Sequence, residues 1–262
     1  MSDVHELTRG TAPLLISFPH VGTQIPPDMA ARLTPAALAL PDTDWHLPRL
    51  YDFARELGAS TIVACWSRYV IDLNRPPEDT NLYPGQDTTG LVPVDTFRRE
   101  ALYAGALPDA DEIGARRERY WRPYHEALAA ELARLKAGHG RVLLWDAHSI
   151  ASELPRFFTG RLPDLNLGTV SGTSCAPDIQ RAIEAALGAQ RDFTWVANGR
   201  FKGGFITRRY SAPDDGMHAV QMEMSQRAYM DEAPPFEFRE PLAARVRPVI
   251  RAAMLAALQA MR

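Results

Sequence analysis

The sequence predicts an α/β fold, a three-layer α/β/α sandwich on a mixed, mostly parallel sheet. Three observations point there. Short apolar runs alternate with helical patterns along the chain, the order that builds a sheet covered on both faces. His20 and His148 each fall just past an apolar strand pattern, where open α/β sheets bind ligands. No repeat with a period of roughly 20–50 residues and no low-complexity linker divides the chain, so a single domain over 1–262 is expected.

The elements follow in order. Pro13-Leu-Leu-Ile-Ser-Phe18 is a buried-strand pattern ending at Pro19. Thr34 is a candidate N-cap with Pro35 at the first helical position. Asp44 is placed to cap a helix carrying Leu47, Leu50, Tyr51, Phe53, Ala54 and Leu57, with Gly58 stopping it. Ser60 to Asp72 reads as one or two strands. Asn74 to Pro93 is a loop rich in Pro, Gly and Asp, and loops that long are often functional. Asp109 to Lys136 reads as a long helix that Pro123 can kink and Gly138 ends. Val142 to Trp145 is a strand, Asp178 to Leu187 a helix and Phe193 to Val196 a strand. Ala219 to Met224 is a strand with alternating faces, and Pro241 to Met261 is the C-terminal helix.

Composition narrows the class. Hydrophobic residues make up 46% and charged residues 23%, enough apolar material to exclude a disordered chain. A net charge of -3 argues against a dedicated nucleic-acid binder. Only Cys65 and Cys175 are present, which excludes a disulfide framework. No apolar run approaches the roughly 20 residues of a membrane span. The polar start, Met1-Ser-Asp-Val-His-Glu6, has no secretory pattern, so a cytoplasmic protein is expected.

Seven histidines carry the first chemical hint. His5 and His139 sit in polar contexts and are expected to be solvated, while His125 lies on a helix stripe. His20 and His148 could be two ligands of a hydrolytic zinc ion, which needs about three protein donors and an open position. The third donor would be a carboxylate from Asp42-Thr-Asp44, and spacing does not choose between the two. There is no HExxH box, and position 23 is Thr where HxxE needs Glu. Asp146 is either an orienting partner for His148 or a strand-end cap. Glu223, between Met222 and Met224, is either an outward strand residue or a buried base with a raised pKa. Arg68, Asn74, Arg75, Arg208 and Arg209 lie at strand ends or beside the Lys202-Gly203-Gly204 turn, and together suggest an anionic ligand.

Several boxes together resemble the N-formylglutamate amidohydrolase family. They are Ser17-Phe-Pro-His-Val-Gly-Thr23, Asp42-Thr-Asp-Trp-His46, Tyr69-Val-Ile-Asp-Leu-Asn-Arg-Pro-Pro77 and Tyr120-Trp-Arg-Pro-Tyr-His125. Asp146-Ala-His-Ser149, Asn198 through Arg208, and Gln221-Met-Glu-Met224 complete the set, spanning about residues 13 to 230. The resemblance implies a fold similar to zinc carboxypeptidase-like hydrolases and one divalent metal ion, zinc. It implies His20, Asp44 and His148 as metal ligands, with Asp42 as the competitor. It implies Glu223 as the general base and Arg68 as a stabiliser of the developing oxyanion. Asn74, Arg75 and Arg208, with Lys202, Gly203 and Gly204, would bind a small dianionic substrate. The reaction implied is hydrolysis of N-formyl-L-glutamate to formate and L-glutamate, closing a histidine degradation route. The alternatives are a zinc hydrolase of another N-acyl acidic amino acid and a non-catalytic binder of acidic metabolites. No nucleic-acid or membrane partner is expected, and the oligomeric state is not legible.

Overall fold

A computed structural model describes residues 3–82 and 84–261. Met1 and Ser2 of the polar start, and Tyr83 in the long loop, lie outside the described residues. The strands are β1 (His5–Thr8), β2 (Leu14–Phe18), β3 (Ser60–Ala64), β4 (Val142–Ile150), β5 (Leu165–Gly168), β6 (Trp195–Ala197) and β7 (Met217–Ser225). The helices are α1 (Pro27–Ala30), α2 (Pro35–Leu38), α3 (Leu47–Leu50), α4 (Ala110–Arg116), α5 (Arg122–His139), α6 (Pro177–Gly188), α7 (Phe205–Arg209) and α8 (Glu240–Ala260). The sheet order is β1-β3-β2-β4-β7-β5-β6. The β3-β2-β4-β7 centre is parallel, β5 and β6 are parallel to each other, and the β1–β3 and β5–β7 pairs are antiparallel.

Alternation along the strands builds the three layers, because successive side chains point to opposite faces. Leu14, Ile16 and Phe18, with Leu143, Trp145 and Ala147, pack against α6 and α8. Leu15, Val142 and Leu144 pack on the other face against Tyr124, Leu128, Leu132 and Leu135 of α5. Both faces of the central strands are therefore apolar. At their carboxyl ends polar side chains take over, with His20, His148, Ser149 and Glu223 all buried.

Several expectations change. The 44–58 helix is broken into α3 and a 3-10 turn over Asp52–Ala54, and its N-cap is His46, in a left-handed conformation (φ 63°). Asp44 is turned away from capping and into the strand-end cluster. The Ser60–Asp72 segment forms β3 only as far as Ala64, after which turns carry Arg68 and Asp72 to the same end of the sheet. The long helix starts under Asp109, whose side chain accepts from the Glu112 N–H. It opens into a π turn over Arg117–Trp121 immediately before Pro123. Proline has no N–H to donate and its ring crowds the carbonyl four residues back, so the wider turn relieves both problems. The helix runs past Gly138 and ends at Gly140, which adopts the left-handed φ of 75°. β4 continues to Ile150, so His148 lies inside the strand, not past its end. β1 and β5 have no counterpart among the expected strands. His5 is half-buried in β1, edge-on to the Tyr124 ring, and so is only partly solvated.

Candidate metal centre and active site

The local chain explains how the metal-type donors meet. β2 ends at Phe18 and Pro19, and His20 follows, 3% exposed. The Asp44 backbone N–H donates to the His20 carbonyl at 3.0 Å, which ties the 40–46 turn to the end of β2. His148 comes from β4, whose neighbour in the sheet is β2. Asp44 Oδ2 then lies 3.7 Å from His20 Nδ1 and 3.2 Å from His148 Nδ1. One donor atom from each of the three residues lies within 4.8 Å of the others. Donors about 2.0–2.2 Å from a tetrahedral ion sit roughly 3.3–3.6 Å apart, so the spacing suits one ion.

The far edges of both imidazoles are held by carboxylates. His20 Nε2 lies 2.7 Å from Asp72 Oδ1, and His148 Nε2 lies 3.0 Å from Asp146 Oδ2. Such partners fix ring orientation and leave the opposite nitrogen free to ligate. Asp72 also accepts from Arg68 Nη2 at 2.6 Å. Asp146 accepts from Ser17 Oγ at 3.0 Å, and that hydroxyl sits 3.1 Å from Tyr124 Oη. Asp42 is built differently. Its Oδ2 accepts from Tyr69 Oη at 2.7 Å and from the Phe97 N–H at 2.8 Å.

Electrostatics favour a cation here. Asp44, Asp72, Asp146 and Glu223 are buried beside one buried guanidinium, that of Arg68. Burial pushes the Asp44 carboxyl up, but hydrogen bonds from His148 and His20 outweigh it and leave it at about 2. Burial lowers His148, yet Asp146 and Asp44 together raise it well above the ordinary histidine value. A ligating imidazole nitrogen must be free of its proton, so metal binding here is coupled to proton release. Buried nitrogen and carboxylate donors with anionic partners behind them fit a divalent ion.

Glu223 is the register partner of His148 across the β4–β7 ladder, so the two side chains stand side by side. It is 6% exposed, and burial raises its carboxyl to about 7. Gln221 Nε2 donates to Glu223 Oε2 at 3.1 Å, while Gln221 Oε1 accepts from the Gly204 N–H at 2.7 Å. The group opens into a cavity of about 80 Å³. Beyond the metal-type residues and Glu223, its walls include Arg68, Arg75, Phe97, Arg200 and Gly204.

A model of the N-formylglutamate amidohydrolase family matches residues 12–230. The chain belongs to the N-formylglutamate amidohydrolase family. It is 53% identical to an N-formylglutamate deformylase of Pseudomonas aeruginosa, over 96% of this chain and 94% of that protein. It is 47% identical to an N-formylglutamate deformylase of Pseudomonas putida, over 98% and 97% of the two chains. Its fold is similar to the crystal structure of an N-formylglutamate amidohydrolase from Ralstonia eutropha JMP134, with a TM-score of 0.81 at 25% identity. That match covers 98% of this chain and 96% of the other. An Agrobacterium tumefaciens gene product shares the fold at a TM-score of 0.75, covering 98% and 96% of the two chains at 19% identity.

In this amidohydrolase the expected residues divide into two sets. His20, Asp44, Arg68, Asn74, Arg75, His148, Gly204 and Glu223 meet at one cavity. Lys202, Gly203 and Arg208 are not among the residues lining it. Lys202 is exposed. Gly203 has φ 119°, a backbone turn that sends the chain into α7. Arg208 therefore lies one helical turn beyond Gly204, and its Nε donates back to the Gly203 carbonyl at 3.1 Å.

Asn74 is held by the protein itself. Its Oδ1 accepts from the Ile206 N–H at 2.8 Å, capping α7 from another segment, and its Nδ2 lies 3.0 Å from His148 Nε2. A Cβ at Gly204 would come within 2.4 Å of Asn74 Nδ2, so glycine is needed there for Asn74 to pack. Arg75 donates from Nε to the Thr89 carbonyl at 2.8 Å and so binds the long loop to the cavity. Asp87 of that loop also lines it, with its charge met by Arg156 at 3.1 Å and Arg99 at 2.6 Å.

Sequence reasoning missed Asp72, Gln221 and Arg200. All three lie inside the quoted boxes, but only their neighbours had strand-end or glycine-turn signals. Arg200 donates from Nε to the Phe157 carbonyl at 2.7 Å, its guanidinium 5.3 Å from the centre of the Phe201 ring.

Proposed function

We propose that this chain hydrolyses N-formyl-L-glutamate to formate and L-glutamate, using one divalent metal ion, zinc by its donor set. In this reading it is a single domain over 1–262, working in the cytoplasm on the last step of a histidine degradation route. The supporting observation is the juxtaposition of Glu223 with the His20–Asp44–His148 group inside a small, arginine-lined cavity. The named activity of the Pseudomonas relatives supports the same substrate. Among the described residues no helix is long and apolar enough to cross a membrane.

His20, Asp44 and His148 would hold the ion, which supplies Lewis acidity toward the formyl carbonyl and acidifies a water. Glu223 takes a proton from the attacking water as its oxygen bonds to the formyl carbon. A carboxyl near 7 is matched to that task at neutral pH. Glu223 then returns the proton to the nitrogen as the C–N bond breaks, and L-glutamate leaves with its amine. Arg68 lines the cavity with its Nε buried and without a hydrogen-bond partner among the described residues, and it would meet the charge growing on the formyl oxygen. Asp72 holds that guanidinium in place, and Asp146 orients His148. Arg75 and Arg200 would take the two substrate carboxylates, because a guanidinium fork matches carboxylate geometry.

This reading moves the second clamp from Arg208 to Arg200. Steady-state kinetics on N-formyl-L-glutamate test it. Loss of a charge-assisted hydrogen bond predicts that Arg200→Ala raises KM roughly 10- to 100-fold, against about twofold or less for Arg208→Ala. The reverse pattern would restore Arg208 to the substrate and remove Arg200.

A further inference from the structure

We propose that Phe97, backed by Ile150, is the wall that restricts the acyl group to formyl. The inference rests on the proposed N-formylglutamate reading and extends it to acyl-chain specificity. The site cavity measures about 80 Å³, and a second, of about 360 Å³, adjoins it. Phe97, Ser149 and Ile150 line both, so these three residues form the partition.

The site has a direction, given by the two edges of the His148 ring. Its Nε2 edge faces Asn74, whose amide packs against Gly204 beside Arg75. Its Nδ1 edge faces Asp44. Two residues before Asp44, Asp42 accepts from the Phe97 backbone and lines the second cavity. Ile150 follows His148 by two positions on β4 and so shares its face. With the substrate carboxylate on the Arg75 side, the acyl substituent points toward Phe97 and Ile150.

The Phe97 ring is fixed in place. The Arg68 guanidinium lies 4.7 Å from its centre, and the Phe157 ring meets it edge-on at 5.0 Å. Its backbone is pinned by Asp42, which is itself held by Tyr69. A formyl carbon carries only hydrogen at this point. An acetyl or longer group would drive a carbon into the ring. Beyond the ring, Ala36, Ala39, Pro41 and Leu154 give the second cavity an apolar part that suits a short alkyl chain, while Asp42, Arg98, Glu100 and Glu232 make the rest of its wall polar.

The test is a series of N-formyl-, N-acetyl-, N-propionyl- and N-butyryl-L-glutamate, assayed with the metal-loaded wild type, Phe97→Ala, Phe97→Leu and Ile150→Ala. The readout is kcat/KM for each acyl group divided by that for formyl, which cancels losses transmitted through Arg68. One methylene against an apolar wall is worth roughly 10–200-fold in discrimination, so Phe97→Ala should raise the acetyl-to-formyl ratio by that much. Phe97→Leu and Ile150→Ala should move it the same way by less, and they serve if the alanine variant does not fold. An unchanged ratio in folded variants that still release formate overturns the partition. So does a wild type that cleaves N-acetyl- and N-formyl-L-glutamate equally well. A wild type that releases no formate from N-formyl-L-glutamate overturns the substrate reading, and the partition falls with it.

Discussion

Replacing Glu223 by Gln is expected to lower kcat for formate release by about 10²- to 10⁴-fold, the contribution of a positioned general acid–base group. Bound metal should remain at wild-type stoichiometry. Gln keeps the shape of the side chain, and its carbonyl oxygen can still accept from Gln221 Nε2. What is lost is the ability to take a proton from water and return it to the leaving nitrogen. Kinetics with metal analysis of the same sample separates this role from a structural one. Near-normal turnover in a metal-replete variant would remove Glu223 as the base. A low kcat accompanied by metal loss would instead make it part of the metal site.

The second large effect separates Asp44 from Asp42, which spacing alone left open. Asp44→Asn should reduce metal affinity by more than the about 10- to 100-fold that loss of an outer partner costs. Activity at limiting zinc should fall with it. Asp44 Oδ2 faces both imidazole Nδ1 atoms, and an amide there contributes no charge to the ion. Asp42→Asn should retain wild-type metal stoichiometry, because Asp42 Oδ2 is occupied by Tyr69 Oη and the Phe97 N–H. Burial also raises the Asp42 carboxyl to about 6, so it gives up its proton less readily than a ligand should. Metal titration of the two variants decides the matter. Loss of the ion in Asp42→Asn and its retention in Asp44→Asn would reverse the assignment.

Much of this arrangement was legible in the sequence because it follows from local rules. The buried β2 and the first half of β4 read as apolar runs and β7 as a strand with alternating faces, and the layered fold follows from their alternation with helices. His20, His148 and Glu223 stood out because polar residues at or near the ends of apolar strands need a reason to be there. What stayed hidden depends on contacts distant in the chain. Asp72 is defined by its contact to His20, which lies far from it in the chain, while Arg68 is its neighbour one turn earlier. β1 alternates in burial at the edge of the sheet and is too short for periodicity to announce it. His148 looked like a loop residue because polar Asp146, His148 and Ser149 interrupt the apolar run, although the backbone ladder continues to Ile150. The resemblance implies Arg208 as a clamp, and the chain places it one turn into α7, where its Nε donates to the Gly203 carbonyl. The glycines before it serve the Gly203 turn and the packing of Asn74.

The most direct measurement is formate release from N-formyl-L-glutamate before chelation, after complete metal removal, and after stoichiometric zinc add-back. The account predicts activity that chelation abolishes and zinc restores in wild type, with no restoration in Asp44→Asn at the same zinc concentration. Formate release that survives complete metal removal would contradict the metal-centred mechanism while keeping the substrate. No release from the fully metallated wild type would contradict the substrate.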